Sequence, residues 1–244
     1  MKSIFKIMVL SLCAMAIGEG NNPKMVTVNL THAFLPYGFD NNDRIQAMVE
    51  GVFPNPCHKL TRDYTVKVDE TAKKISIEQN AYQYTGFCVA LFVPFSQTID
   101  FGIISTAGDY EVMDAQSKAV IGTLNVSEPR NPTSDLGPDD FLYAPVRDAF
   151  ITKDAAGNPQ LVVRSVYADS CTTLDASNIL IDYQKEVIVV EPRATKPTTG
   201  TGVCEPTLRE EEVEKPLVDM PKGTFLLHVR SANGEAINKI VHLK

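Results

Sequence analysis

The chain has 244 residues, of which 44% are hydrophobic, and its 30 acidic and 23 basic side chains give a formal net charge of −7. This length suits either one large domain or two of ordinary size. An acidic surface without a basic stripe repels phosphate backbones and anionic lipid, so we expect no nucleic-acid partner.

Residues 1–16 have the three-part pattern of a secretory signal peptide. Two lysines precede the apolar run Ile7–Ala16, which ends in a small–x–small pattern. The run is too short to cross a bilayer as a helix, so we predict no transmembrane segment. We therefore expect an exported chain, periplasmic or secreted, that begins near Ile17. A lipoprotein anchored through Cys13 is the alternative, although Leu12 stands where that pattern has a small residue.

Four further cysteines, Cys57, Cys88, Cys171 and Cys204, allow three disulfide connectivities, and spacing alone does not choose among them. The second half of the chain repeats features of the first, and the two cysteines of each half occupy equivalent places. The repeat therefore favours the pairs Cys57–Cys88 and Cys171–Cys204, which an oxidising compartment suits. Free thiols are the alternative, whereas a zinc site is disfavoured because no C-x-x-C pair occurs.

Short strand-like segments separated by turn residues fill residues 24–127. They begin at Met25–Thr31 and include Phe87–Val93, which we expect to be a strand that continues beyond Pro94. This spacing of strands is typical of an antiparallel sandwich. No segment keeps a 3.6-residue apolar period over about ten residues, so helix is a minor component.

Residues 128–140 contain three prolines and few apolar side chains, which predicts a linker between domains at 24–127 and 141–244. The second half then retraces the first, since Asp148-Ala-Phe150 corresponds to His32-Ala-Phe34. We expect two independent domains joined by this linker. The charge run Arg209–Lys215 predicts a solvated loop or an edge strand, with a cationic partner as the alternative.

Each half resembles an immunoglobulin-like or fibronectin-III-like sandwich, as found in tandem in bacterial exported proteins. The resemblance rests on the cysteine pairs and on the strands Gly108-Asp-Tyr-Glu-Val112 and Gly223-Thr-Phe-Leu-Leu227. No tryptophan is present to pack on a disulfide, and the tyrosine-corner spacing is absent. The resemblance implies an all-β fold of two tandem antiparallel β-sandwich domains, each with one disulfide, and a binding or structural role.

No pattern typical of catalysis occurs in the sequence, which has no H-E-x-x-H, no G-x-S-x-G and no glycine-rich phosphate loop. We therefore predict no catalytic residue and no cofactor. A Ser–His–Asp triad needs no fixed spacing, so a hydrolase with its site at the domain interface stays an alternative.

Acidic turns at Asp40-Asn-Asn-Asp43 and at Asp139-Asp140 supply oxygen atoms of the kind that calcium binds. Asx-rich turns also form for backbone reasons alone. We therefore predict no metal site and name Asp40, Asp43, Asp139 and Asp140 as weak calcium candidates.

Two loops are the predicted contact surface, because loops at the ends of a sandwich commonly hold binding residues. They are Tyr37–Asp43 and Arg193–Gly202, and the residues we single out are Tyr37, Asp40, Asp43, Arg193 and Lys196. The leading hypothesis is a non-enzymatic exported module that binds or scaffolds a protein or another envelope component. A secreted protease inhibitor, whose loop Arg193–Gly202 enters an active site, is an alternative.

Overall fold

A computed structural model describes residues 22–129, 139–197 and 203–243 of the chain. The predicted signal peptide, Cys13 and most of the predicted linker lie outside these residues. The described residues form sixteen β-strands and two short 3-10 turns, Ala176–Asn178 and Ala232–Gly234. They include no helix with the length and apolarity needed to cross a membrane. The all-β prediction is confirmed.

The first half folds into two sheets. Its strands are β1 Lys24–Val28, β2 Leu30–Phe34, β3 Phe39–Asp40, β4 Arg44–Phe53, β5 His58–Asp69, β6 Lys74–Gln83, β7 Val93–Ile103, β8 Gly108–Asp114 and β9 Val120–Ser127. One sheet has the order β2-β4-β7. In the other, β6 pairs with β5 along its length and with β1 and β8 on its opposite edge, and β9 and β3 follow.

The second half repeats this order with fewer strands. They are β10 Val146–Lys153, β11 Pro159–Asp169, β12 Ile179–Gln184, β13 Val187–Pro192, β14 Pro206–Pro216, β15 Gly223–Arg230 and β16 Ala236–Leu243. The sheet β10-β11-β14 matches β2-β4-β7, and β12-β13-β15-β16 matches β5-β6-β8-β9. The chain thus builds the same strand order twice.

Three of the described pairings are parallel rather than antiparallel, namely β3–β9, β6–β8 and β13–β15. Parallel neighbours need a crossover connection. For β6–β8 and β13–β15 the crossover is a strand of the opposite sheet. β7 lies between β6 and β8 in sequence, and β14 lies between β13 and β15. The remaining ladders are antiparallel, as predicted.

Each half has its own core between its two sheets. In the first, Ile45, Ala47 and Val49 of β4 pack with side chains of the facing sheet such as Ile75 and Tyr110. The second core is built in the same way from Leu161 and Val163 of β11, Ile188 of β13 and Leu227 of β15. These residues alternate along their strands, so one face of each strand points inward.

The other faces of β4, β13 and β15 are buried as well, because the two halves pack against each other. Phe34 and Met48 of the first half form one buried cluster with Val187, Val189 and Leu226 of the second. The amide of Asn238 donates to Gln46 across this junction at 3.1 Å. Each half therefore covers an apolar sheet face of the other, so the two halves do not lie apart. The division into domains at 24–127 and 141–244 stays a prediction.

The charge run Arg209–Lys215 lies on β14, which is an edge strand. This is one of the two positions that the sequence predicts for it, the other being a solvated loop. β14 pairs with β11 and with no second strand among the described residues. Its glutamates form ion pairs with neighbouring strands, including Arg147–Glu210 at 2.6 Å and Arg164–Glu212 at 2.5 Å. These carboxylates are thus partly neutralised within the chain, which leaves less charge for a cationic partner.

Candidate binding surface at the Cys57–Cys88 loop

Both predicted disulfides are present. Cys57 is bonded to Cys88 and Cys171 to Cys204, with Cα–Cα distances of 5.8 and 5.4 Å. Each bridge lies at the end of an antiparallel ladder, next to the pairs Phe53–Val93 and Asp169–Pro206. The bridges therefore hold equivalent positions in the repeated topology. Such bonds persist in oxidising compartments.

The first predicted contact loop, Tyr37–Asp43, is not an open surface. Phe39, Asp40 and Asp43 are buried, and the Arg230 side chain of β15 reaches across from the second half. Its guanidinium donates to the Gly38 carbonyl at 2.6 Å and lies 3.4 Å from an Asp43 oxygen. The turn residues that we expected to meet a ligand instead meet the other half of the same chain.

Buried carboxylates surround Arg230 from both halves. Asp43 faces Asp40 and Asp140 as well as the guanidinium, and burial raises its pKa to about 6 even though Arg230 opposes the rise. Asp139 accepts hydrogen bonds from the backbone N–H groups of Asn233 and Gly234, and burial again raises its pKa. Burying charge is costly unless it is paired and hydrogen-bonded. In this cluster Asp43 is paired with Arg230, and Asp139 accepts two backbone hydrogen bonds.

The weak calcium candidates are thus brought near one another, but around an arginine. The guanidinium of Arg230 supplies positive charge at this position, where a metal ion would have to compete with it. Within the three described stretches, no group of three or more His, Cys, Asp or Glu side chains is arranged to hold a metal ion. The space beside Arg230 measures about 20 Å³, roughly the room of a single water molecule.

His228 is a structural residue of the same junction. It is fully buried, its Nδ1 lies 2.7 Å from the side-chain oxygen of Asn238, and its ring meets Phe39 edge-on at 5.5 Å. Burial lowers its pKa to about 4. A neutral imidazole is the form that such a site favours at neutral pH.

The described part of the second predicted contact loop is held by ion pairs. Arg193 lies 2.6 Å from Glu191 and stacks its guanidinium 3.4 Å from the centre of the Phe141 ring. Lys196 lies 2.9 Å from Asp169, whose pKa is lowered first by the Thr172 backbone N–H and then by Lys196. Both basic side chains therefore have partners within the chain. Residues 198–202 of this loop lie outside the described residues.

The most exposed apolar surface lies elsewhere, at one end of the first half. Fifteen large hydrophobic side chains are exposed in the described residues. Five of them lie in the segment between β6 and β7, and two more lie beside its ends, since Met25 is opposite Tyr82 and Val52 is opposite Pro94. We call these seven the apolar end: Met25, Val52, Tyr84, Phe87, Val89, Leu91 and Phe92. Phe87 is 95% exposed and Phe92 is 76% exposed. Contiguous apolar patches on soluble folds mark interaction sites more often than scattered single residues do.

The loop that bears most of the apolar end is held at both sides. Cys88 is bonded to Cys57, and the Tyr84 N–H donates to the Cys57 carbonyl at 2.8 Å. Beneath the loop, Phe95 stacks on Phe53 with ring centres 4.3 Å apart. The exposed side chains are therefore displayed by a short, fastened segment.

A glycine is required below this stack. A Cβ at Gly51 would come within 2.4 Å of the Phe95 ring and 2.5 Å of the Asn29 carbonyl oxygen. Real Cβ atoms do not approach so closely, so only glycine lets Phe95 lie flat across β4.

The prediction of a strand at Phe87–Val93 is wrong, because β7 begins only at Val93. The segment lacks the alternation of a half-buried strand, and the bridge from Cys88 to Cys57 holds it beside the start of β5. Sequence reasoning therefore missed Phe87 and Phe92 as surface residues. The available signal was an uncharged apolar run without period, which does not distinguish a buried strand from an exposed loop.

Comparison with known families adds support for the fold. A family model described as the ORF11 beta-sandwich domain matches residues 47–114, which run from β4 into β8 and include the apolar loop. No curated protein matches the chain, and no solved structure does. The match is to a sandwich, in agreement with the two facing sheets of the first half.

Proposed function

We propose that the chain is an exported, non-enzymatic binding or scaffolding module of the cell envelope or extracellular space, built as two tandem immunoglobulin-like sandwiches. In this proposal the apolar end is its contact surface. Export is supported by the two disulfides and by the signal-like residues 1–16.

The observation that carries the proposal is the exposure of Phe87 and Phe92 on a loop fastened by a disulfide. Residues 84–97 contain no charged side chain, so nothing within the loop offsets the cost of exposing apolar area to water. Leaving such area exposed forgoes about 25 cal/mol per Å². A contact that covers this area is therefore favourable, and the fastened loop loses little conformational freedom on binding.

The contacts of the buried polar residues beside Arg230 do not favour a hydrolase at that point of the junction. The Ser231 hydroxyl accepts from the Val146 N–H at 2.9 Å. His228 pairs with the Asn238 amide rather than with a carboxylate. The space beside Arg230, at about 20 Å³, is far smaller than a substrate pocket of about 300 Å³ or more.

Site-specific crosslinking tests the contact surface. We would place the photoreactive residue p-benzoylphenylalanine at position 87 and irradiate the protein with an envelope preparation that contains membranes and soluble proteins. The matched control places it at Leu208, which is 79% exposed on β14 of the second half. We expect discrete adducts from position 87 and none from position 208.

A loop variant gives the second arm of the test. The double substitution Phe87→Ser and Phe92→Ser removes exposed side chains only, so we expect the free energy of unfolding to change by less than about 0.5 kcal/mol. Binding that survives this change, or equal adducts from positions 87 and 208, would refute the apolar end as the contact surface.

A further inference from the structure

We propose that the partner of the apolar end is the surface of a lipid bilayer with anionic headgroups. In this arrangement Phe87 and Phe92 enter the boundary between headgroups and acyl chains. This inference deepens the proposed function and rests on it, since it names the partner of the same surface.

The shape of the apolar end fits a fluid surface. Five exposed apolar side chains lie within nine consecutive residues, Tyr84–Phe92, and two of them are phenylalanines that project almost fully into solvent. Gly86, between Tyr84 and Phe87 in sequence, has open space around it. A projecting tip of this kind needs no matching groove when it enters the interfacial zone of a bilayer, where large apolar and aromatic side chains bind favourably.

The charge around the apolar end differs from that of the whole chain. Residues 22–39, 51–62 and 79–99 contain no aspartate or glutamate, although the chain has a net charge of −7. Three exposed basic side chains lie on these stretches, Lys24, Lys59 and Arg62. The strand ladders place Lys24 opposite Gln83 and Lys59 opposite Tyr82, directly before the loop. The strand residues that directly border the loop are therefore basic and apolar, although the exposed Asp63 follows Arg62. A basic and apolar border is the combination that anionic lipid attracts.

This local charge changes the expectation drawn from composition. The net negative charge predicts repulsion from anionic lipid, but charges farther away than about 10 Å are largely screened at moderate salt. In this orientation Lys24 and Lys59, which border the loop in the strand ladders, lie toward the bilayer.

The path of the chain into the fold points to the same surface. β1 begins at Lys24, and its antiparallel partner Gln83 is the last residue of β6 before the loop. The sequence before Lys24, which includes the apolar run Ile7–Ala16, therefore joins the fold beside the apolar end. A lipid on Cys13 would therefore tether the chain at this end of the fold.

The absence of tryptophan from the chain permits a direct test. We would introduce Phe87→Trp, and Leu208→Trp as the matched control, and record fluorescence with vesicles of phosphatidylcholine alone or with about 30% phosphatidylglycerol. We expect a blue shift at position 87 on the anionic vesicles and no shift at position 208.

Sedimentation with the same vesicles tests the contribution of each group. We expect Phe87→Ser with Phe92→Ser to weaken binding at least about tenfold on anionic vesicles. We expect Lys59→Glu with Arg62→Glu to weaken it to a similar degree, and to remove its dependence on salt. Both measurements would be made on the full chain and on the form that lacks residues 1–16, so that the apolar run Ile7–Ala16 is not mistaken for the loop.

The outcomes separate this inference from the proposed function. Binding that is lost with residues 1–16 and is indifferent to the loop substitutions would overturn the lipid inference. Protein adducts from position 87 without vesicle binding would also overturn it, but would leave the proposed contact surface standing. If position 87 gave neither adducts nor a fluorescence shift, both proposals would fall.

Discussion

The substitution Asp43→Asn isolates the cost of ionising a carboxyl group between the two halves of the chain. Asp43 is almost fully buried and faces Arg230, Asp40 and Asp140. Tyr143, whose pKa burial raises to about 12, contacts the same guanidinium at 3.4 Å. Burial raises the pKa of Asp43 to about 6, so the folded protein holds this proton more tightly than the unfolded chain does.

The magnitude follows from the two pKa values. The rise from 3.8 to about 6 corresponds to about 3 kcal/mol between the protonated and ionised forms. Between about pH 4 and pH 6 the unfolded state binds fewer protons at this position than the folded state. The contribution of Asp43 to the free energy of unfolding therefore falls by up to about 3 kcal/mol as the pH rises through this window.

His228 opposes this trend in nearly the same window. Burial lowers its pKa from 6.5 to about 4, which corresponds to about 3 kcal/mol that is present above pH 6.5 and is lost as the pH falls toward 4. In the wild type the two slopes largely cancel. We therefore expect Asp43→Asn to expose the rise in stability with pH that comes from His228, and His228→Gln to expose the fall that comes from Asp43.

The assay is urea unfolding at half-unit steps between about pH 4 and pH 7. The control is Asp63→Asn, the same change at an exposed position of β5. We expect the difference in the free energy of unfolding between Asp43→Asn and wild type to grow by about 3 kcal/mol from the acidic to the neutral end. If the curves of wild type and Asp43→Asn run parallel, as that of Asp63→Asn should, the argument from burial is refuted.

Three further substitutions test other parts of the fold. Gly51→Ala drives a methyl group into the Phe95 ring and the Asn29 carbonyl, so we expect a loss of about 1–3 kcal/mol in urea unfolding. An unchanged urea midpoint would show that β4 and β7 can move apart enough to accommodate the methyl group, and would contradict this expectation. Replacing Cys57 and Cys88 together by serine should cost about 3–4 kcal/mol relative to the oxidised wild type in the same assay, under the chain-entropy estimate. An unchanged free energy of unfolding would contradict this expectation. Arg230→Met leaves the buried carboxylates without their counter-charge, so we expect a loss of about 3–5 kcal/mol at pH 7. A smaller loss when Asp43→Asn is combined with it would support this reason, and strict additivity would contradict it.

The sequence was sufficient to predict the disulfides and the class of the fold because both depend on local pattern and repetition. The repeat places Cys171 where Cys57 stands, and this excludes the crossed connectivities once each half forms its own ladder. The sequence also predicts strands such as β11, since Leu161 and Val163 form the inner face of a short apolar run.

The packing of the two halves was harder to predict, because it depends on which outer faces meet. A signal was present, since Val187–Val190 and Phe225–Val229 are almost continuously apolar, as strands buried on both faces are. A single sequence does not say what covers the second face. The sequence consequently predicts a ligand surface at Tyr37–Asp43, although the partner of this turn is Arg230 of the same chain.

The sequence does not predict the exposure of the apolar end, for a related reason. Periodicity distinguishes inside from outside only where apolar and polar residues alternate. Phe87–Val93 is apolar at nearly every position, so the sequence does not reveal that the segment leaves the sheet.

The position of Arg230 also affects whether the two halves can be stable when they are separated. Its guanidinium belongs to the second half, but the Gly38 carbonyl and the Asp43 carboxylate that it contacts belong to the first. A second half expressed alone would have to solvate this charge and the apolar face formed by Val187, Val189 and Leu226. We therefore expect the two sandwiches to melt in one cooperative transition, and the second half to be unstable when it is expressed without the first.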